Sequence, residues 1–119
     1  MKKTLVLGAS ENPERYSYKA AKMLKSHGHE IVLLGNKEGE INGEKILIGK
    51  PILENVDTIT LYLSAKNQTE YYEYIKDLKP KRVIFNPGAE NVELENKLLD
   101  QGIAPIEACT LVLLSIGKY

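Results

Sequence analysis

The strongest constraint on this chain is a repeated pattern: a short apolar run, a glycine or polar turn, then a segment of helical periodicity. Thr4–Leu7 is ended by Gly8 and Ile31–Leu34 by Gly35. Thr58–Leu63 gives way to Ser64, and Arg82–Phe85 to Asn86-Pro87-Gly88. Ile103–Ile106 closes the series. Continuous apolar runs this short suit strands buried on both faces. Between them, Ser17 is placed to cap a helix running to about Ser26, with Ala20, Ala21, Met23 and Leu24 on its inner face and His27-Gly28 as its stop. Asn67–Leu78 groups Tyr71, Tyr74, Ile75 and Leu78 on one side and ends at Lys79-Pro80. Glu93–Asp100 reads as a helix closed by Gly102, and Thr110–Ile116 as a final apolar helix. Three stretches are less regular: Gly35–Gly43 is polar and glycine-rich, Lys45–Ile48 reads as a short edge strand, and Pro51–Asn55 as a helical turn.

Buried strands alternating with amphipathic helices imply parallel βαβ units joined by right-handed crossovers. The fold class expected is therefore α/β, a Rossmann-like doubly wound and mostly parallel sheet with helices on both faces. With 119 residues there is room for one such domain, spanning 1–119. Sheets of this kind bind ligands outside the carboxyl ends of their strands, where strand order reverses. That rule singles out the loops that start at Gly8, Gly35, Ser64 and Asn86.

Charge narrows the partners. Sixteen basic and sixteen acidic side chains cancel, which argues against a general nucleic-acid or membrane-surface binder. The single Cys109 can form neither an intramolecular disulfide nor, alone, a cysteine zinc site, and His27 and His29 have no partner at a familiar ligand spacing. No metal is expected. The apolar stretch after Met1-Lys2-Lys3 is too short for a signal peptide or a membrane helix, so a cytoplasmic location is the expectation.

The first loop, Gly8-Ala9-Ser10 through Arg15-Tyr16-Ser17-Tyr18, carries the phosphate chemistry. Gly8 allows a sharp turn and close approach of backbone to a ligand. A helix beginning near Ser17 aims free N–H groups and the positive end of its dipole at the strand tips. Ser10 and Ser17 can donate hydroxyls, and Arg15 a charge-assisted bond. The loop is neither G-x-G-x-x-G nor a Walker loop. An NAD-binding domain usually places Asp or Glu at the end of its second strand for the ribose hydroxyls. Here Gly35, Asn36 and Lys37 stand there, and Lys37 is in reach of a phosphate. In the fourth loop Asn86 can hydrogen-bond a ligand and Gly88 permits close approach. The same loops also fit plain strand-to-helix turns. The tyrosines around Tyr71 and Tyr72 read as core or protein contact rather than a base-stacking surface. Cys109 reads as a small buried hydrophobe.

Val6-Leu7-Gly8-Ala9-Ser10, then Asn12-Pro13, then Arg15-Tyr16-Ser17-Tyr18 resembles the opening of the small stand-alone bacterial CoA-binding proteins. These are similar in turn to the nucleotide-binding N-terminal domain of the succinyl-CoA synthetase alpha subunit. The resemblance extends over nearly the whole chain. Leu24 and Gly28 match the end of the family's first helix, and Asn36 stands in its Val-Asn-Pro turn. Glu40, Ile41 and Gly43 follow as in its Glu-x-x-Gly stretch, Asn86 and Gly88 stand for its Gln-x-Gly, and Cys109 for a cysteine near the last strand. The resemblance implies that coenzyme A is the cofactor. Its diphosphate and adenosine would lie against Gly8, Ala9, Ser10, Arg15, Ser17, Tyr18, Asn36 and Lys37, with Ser64, Asn86 and Gly88 lining the same crevice. The chain departs from the pattern at Gly35 (valine in the family), Lys37 (proline), Ser64 (arginine), Asn86 (glutamine) and Ala108 (arginine). The synthetases' phosphorylated histidine belongs to another domain, so no catalytic residue carries over.

Three functions follow. The leading one is non-catalytic binding of CoA or an acyl-CoA. The second is an enzyme, NAD-linked or acyl-transferring, drawing on Cys109, His27, His29 or Glu107. The third is a ligand-free interaction module using the Tyr71–Tyr74 helix, with homo-oligomers among its possible assemblies.

Overall fold

In the computed structural model, which describes residues 1–119, the apolar runs become the strands of one sheet. They are β1 (Thr4–Leu7), β2 (Ile31–Leu34), β3 (Gly39–Ile41), β4 (Glu44–Leu47), β5 (Thr58–Leu61), β6 (Arg82–Phe85) and β7 (Ala104–Glu107). Spatial order is β3-β4-β2-β1-β5-β6-β7. Every neighbouring pair is parallel except β3 with β4. The helices are α1 (Tyr16–Ser26), α2 (Ala65–Gln68), α3 (Tyr72–Leu78), α4 (Val92–Asp100) and α5 (Thr110–Ser115). This is the expected doubly wound α/β sheet.

Side-chain alternation divides the core in two. Leu5 and Leu7 of β1 share one face with Ile59, Leu61, Val83 and Phe85, covered by Ile75 of α3 and by Leu94 and Leu98 of α4. Val6 points the other way, into Leu33, Ile46, Ala21 and Leu24 of α1, and Leu114 of α5. As the periodicity of α1 required, Ala20, Ala21 and Leu24 are completely buried, while Met23 is half-buried at the rim.

Four local expectations are corrected. Arg15, in extended backbone, is the N-cap of α1, so Ser17 lies inside the helix and caps nothing. Lys45–Ile48 falls on a strand that is not an edge, because the Gly35–Gly43 stretch contributes β3 outside it. The cause is a two-residue hairpin turn at Asn42-Gly43, both with positive φ (49° and 84°), the Asn-Gly signature whose twist matches paired strands. Pro51–Asn55 forms no helix. Its carbonyls bond side chains instead, Pro51 accepting from the Tyr74 hydroxyl and Glu54 from Lys3, and Asn55 is left-handed. The Asn67–Leu78 helix is broken at Thr69–Tyr71 by a 3₁₀ turn, where buried Gln68 turns inward.

The chain builds outward from β1 through β2 to β4 and β3, then crosses back to β5 on the other flank. The carboxyl ends of β1 and β5 therefore bracket the point where strand order reverses.

Candidate functional site

A cleft of about 930 Å³ opens at that point. Its floor is set by two close backbone approaches. Gly8 has φ +100°, and a Cβ there would lie 2.7 Å from the Tyr62 carbonyl oxygen, so both the turn and the packing of β1 against β5 demand glycine. A Cβ on Gly35 would lie 2.4 Å from the Ala9 carbonyl oxygen. The first loop and the end of β2 are thus in direct contact.

One wall is the first loop. Ala9, Ser10, Arg15 and Ser17 all line the cleft, together with Glu14 and Tyr16. Ser10 Oγ accepts from the Asn12 amide and Asn12 Oδ1 from the Glu14 amide, which fixes the turn. No side chain caps α1 and no acid occupies its first turn. Its first N–H groups, and the positive end of its dipole, are left to the cleft. Asn36 and Lys37 line the adjoining edge. Arg15 and Lys37 are exposed and form no ion pair within the chain.

The opposite wall comes from the ends of β5 and β6. Leu63 and Ser64 lie on one side of it, Pro87, Gly88 and Ala89 on the other, with Asn67, Glu70 and Tyr71 above. Gly88 has φ +94° and open space where a Cβ would stand.

Nine of the eleven sequence-derived residues therefore meet here; Tyr18 and Asn86 do not. Tyr18 packs at the edge of the α1 core under the Lys22 ammonium, 5.6 Å from its ring centre. Asn86 is buried and its amide is committed inside the protein. Nδ2 donates to Thr60 Oγ1 (2.6 Å) and the Leu61 carbonyl (2.8 Å), and Oδ1 accepts from the Thr110 amide (2.9 Å). Asn86 is a bracket beneath the cleft and is not among the residues that line it. Tyr71 is corrected in the other direction. It packs on the core yet also faces the cleft, as do Tyr16 and Tyr62. At Tyr71 helical spacing alone cannot tell a core face from a cleft rim, and Tyr62 falls in the stretch read as the buried strand Thr58–Leu63.

The Tyr62 hydroxyl is buried without a hydrogen-bond partner. It sits near the Thr60 and Thr110 hydroxyls, which are bonded to each other at 2.8 Å. Burial pushes its pKa up to about 12, against a smaller opposing effect of those two hydroxyls.

The residues considered for catalysis lie elsewhere. Cys109 is the N-cap of α5 and is not part of the cleft lining. His27 and His29 follow the C-terminus of α1, at the amino ends of the strands. His29 Nδ1 accepts from the Lys2 amide, and its ring meets Tyr119 edge-on at 4.9 Å. Glu107 lies near Glu95 on α4, whose Oε2 is buried without a hydrogen-bond partner. Burial, then the proximity of Glu107 and its charge, raises the Glu95 pKa. Neither carboxylate lines the cleft.

Comparison with known proteins places the chain. A crystal structure of an uncharacterized protein is 55% identical and superposes with a TM-score of 0.98, covering 100% of this chain and 98% of that one. The structure of cell-free ID.343 from Thermus thermophilus has the same fold at 21% identity, with a TM-score of 0.86 over 99% of this chain and 90% of that one. The fold recurs in a dinucleotide forming acetyl-coenzyme A synthetase 1 of Ca. Korarchaeum cryptofilum, solved in complex with phosphate and ADP. There identity is 17% and the TM-score 0.71, over 90% of this chain and 25% of the enzyme. No curated protein sequence matches. No helix is long and apolar enough to cross a membrane. A family model described as CoA binding domain matches residues 2–115, and the chain belongs to that CoA-binding domain family.

Proposed function

We propose that this chain binds coenzyme A, or an acyl-CoA, in the cleft at the β1–β5 switch point, as a binding module without chemistry of its own. One observation carries the reading: the uncapped N-terminus of α1 opens into the cleft beside two unpaired cations, Arg15 and Lys37. Backbone N–H groups and a helix dipole hold a diphosphate without a dedicated side chain for each oxygen. Ser10 and Ser17 add hydroxyls, and Arg15 a charge-assisted bond. Gly35, Asn36 and Lys37 at the end of β2 suit a ribose that carries a phosphate better than one with the free hydroxyls an acid would bind. The cleft volume is in the range of pockets that enclose cofactors. When bound, coenzyme A supplies a thiol able to carry an acyl group. The residues of this chain bind and orient the rest of it.

No serine or tyrosine hydroxyl lining the cleft is hydrogen-bonded to a carboxylate or histidine; Cys109 is outside it and both histidines lie at the far end of the strands. A ligand-free interaction module would be favoured by a crevice filled with its own side chains, and this one is open.

The test is calorimetric titration with CoA, with NAD in parallel and Arg15→Ala as the variant. Saturable binding of CoA but not NAD, weakened roughly tenfold by the substitution, is the expected result. No heat with either ligand from folded, ligand-free protein would overturn the assignment. Turnover of an acyl-CoA that disappears in Cys109→Ala would overturn its non-catalytic half.

A further inference from the structure

The two strand-end segments that form the distal wall are joined by one buried side chain. Gln68, the last residue of α2, is 0% exposed. Its Nε2 donates to the Leu63 carbonyl at 2.8 Å and to the Ala89 carbonyl at 2.7 Å. Leu63 follows β5 and Ala89 follows β6, and both line the cleft. Its Oε1 accepts from Asn91 Nδ2 at 2.9 Å. Asn91 in turn caps α4, its Oδ1 accepting from the Leu94 amide, and its Nδ2 also donates to the Tyr72 hydroxyl. Tyr72 passes the chain of bonds on to Glu93.

Only an amide fits that position. Two donors must meet two carbonyls while one acceptor meets an amide N–H. A carboxylate would set its oxygens against both carbonyls, and an apolar side chain would leave buried polar groups without partners. Both donors are used, and turning the amide over would set its oxygen against the carbonyls and break all three bonds. The spacing between Leu63-Ser64 and Gly88-Ala89 is therefore fixed by Gln68, although Gln68 does not line the cleft. The proximal wall, from Gly8 through Ser17 with Asn36 and Lys37, makes no hydrogen bond to this network.

We infer that Gln68 is a positioning residue for ligand binding: by spanning the ends of β5 and β6 it sets the gap that receives the arm of coenzyme A beyond its diphosphate. The inference rests on the reading of the cleft as a CoA site. It divides the ligand between two walls, with adenosine and phosphates on the α1 side and the arm on the Gln68 side. Gln68→Met keeps the length and bulk of the side chain and deletes its three bonds.

The experiment titrates wild type and Gln68→Met with CoA and with adenosine 3′,5′-bisphosphate, which has the nucleotide but not the arm. Wild type is expected to bind both. Gln68→Met is expected to lose about tenfold in CoA affinity and to hold the bisphosphate within about twofold, a split that general destabilisation does not produce. If Gln68→Met fails to fold, Asn91→Ser serves. Serine keeps a capping oxygen for α4 and withdraws the donor to Gln68 and to the Tyr72 hydroxyl, and it should show the same selective loss at about threefold. Equal losses for both ligands, or no loss for CoA, would overturn the inference while leaving the CoA site standing. A wild type that binds neither ligand would overturn the CoA reading itself, and the role of Gln68 with it.

Discussion

Replacing Asn86 with alanine separates a structural bracket from a ligand contact. The substitution deletes three buried hydrogen bonds, to Thr60 Oγ1, the Leu61 carbonyl and the Thr110 amide. A buried hydrogen bond contributes about 1 kcal/mol net, and a buried group left without its partner costs about 1–3 kcal/mol. Thr60 Oγ1 keeps Thr110 Oγ1 as a partner, so the penalty concentrates on the Leu61 carbonyl and the first amide of α5. The expected loss of stability is about 4 kcal/mol, which for a domain of this size lowers Tm by about 12–20 °C. Urea unfolding measures the first figure and calorimetry the second. CoA affinity, measured well below the new Tm, should stay within about threefold of wild type, since the side chain does not reach the cleft. A stability loss under about 1 kcal/mol would refute the bracket. A folded Asn86→Ala whose CoA affinity drops more than about tenfold would show that the side chain touches the ligand after all.

Two further predictions concern buried polar groups away from that bracket. Tyr62→Phe removes a hydroxyl that is buried without a partner, so it should raise stability by roughly 1 kcal/mol in urea unfolding; a loss of that size would mean the hydroxyl is bonded in solution. His29 has its pKa lowered below 6.5, first by burial and then by the nearby charge of Lys2. The unfolded chain therefore takes up the proton first as pH falls, so stability is full above about pH 6.5 and is lost progressively below it. Tm followed from about pH 7.5 to about pH 5 should fall less steeply in His29→Gln than in wild type, and equal slopes would remove His29 from the acid response.

The strands and the loops that border the cleft were legible because both follow from periodicity. Thr4–Leu7, Ile31–Leu34 and Arg82–Phe85 were readable to the residue, and the reversal of strand order located the cleft before any side chain was considered. What failed were features that depend on where a side chain turns. Ser17 follows a loop of turn formers and has the chemistry of a cap, yet the extended backbone falls two residues earlier, at Arg15. Asn86 and Gln68 are both amides at strand or helix ends, and nothing in the local sequence separates an amide that faces a ligand from one that faces neighbouring carbonyls. Both amides are committed to neighbouring protein groups, one under the floor of the cleft and one between the segments of its distal wall. The β3–β4 hairpin was readable in principle. Asn42-Gly43 between Ile41 and Ile46 is a strong two-residue turn signal, masked by the polarity of the strands it joins.

The departure from the family pattern at Gly35 is an effect of packing, not a lost ligand group. The family's valine at that position would carry a Cβ into space where the Ala9 carbonyl oxygen lies only 2.4 Å from an ideal Cβ, and real Cβ atoms do not tolerate that distance. In this chain the first loop consequently sits against the end of β2 more closely than a valine permits. Arg15 of one loop and Lys37 of the other line the same cleft beside that contact. Lys37 stands where the family has proline, so this position supplies a cation where the family pattern has none. The two departures meet at one rim of the cleft. The glycine draws the loops into contact, and the lysine adds positive charge beside the N-terminus of α1, where a phosphate-bearing ligand is best held.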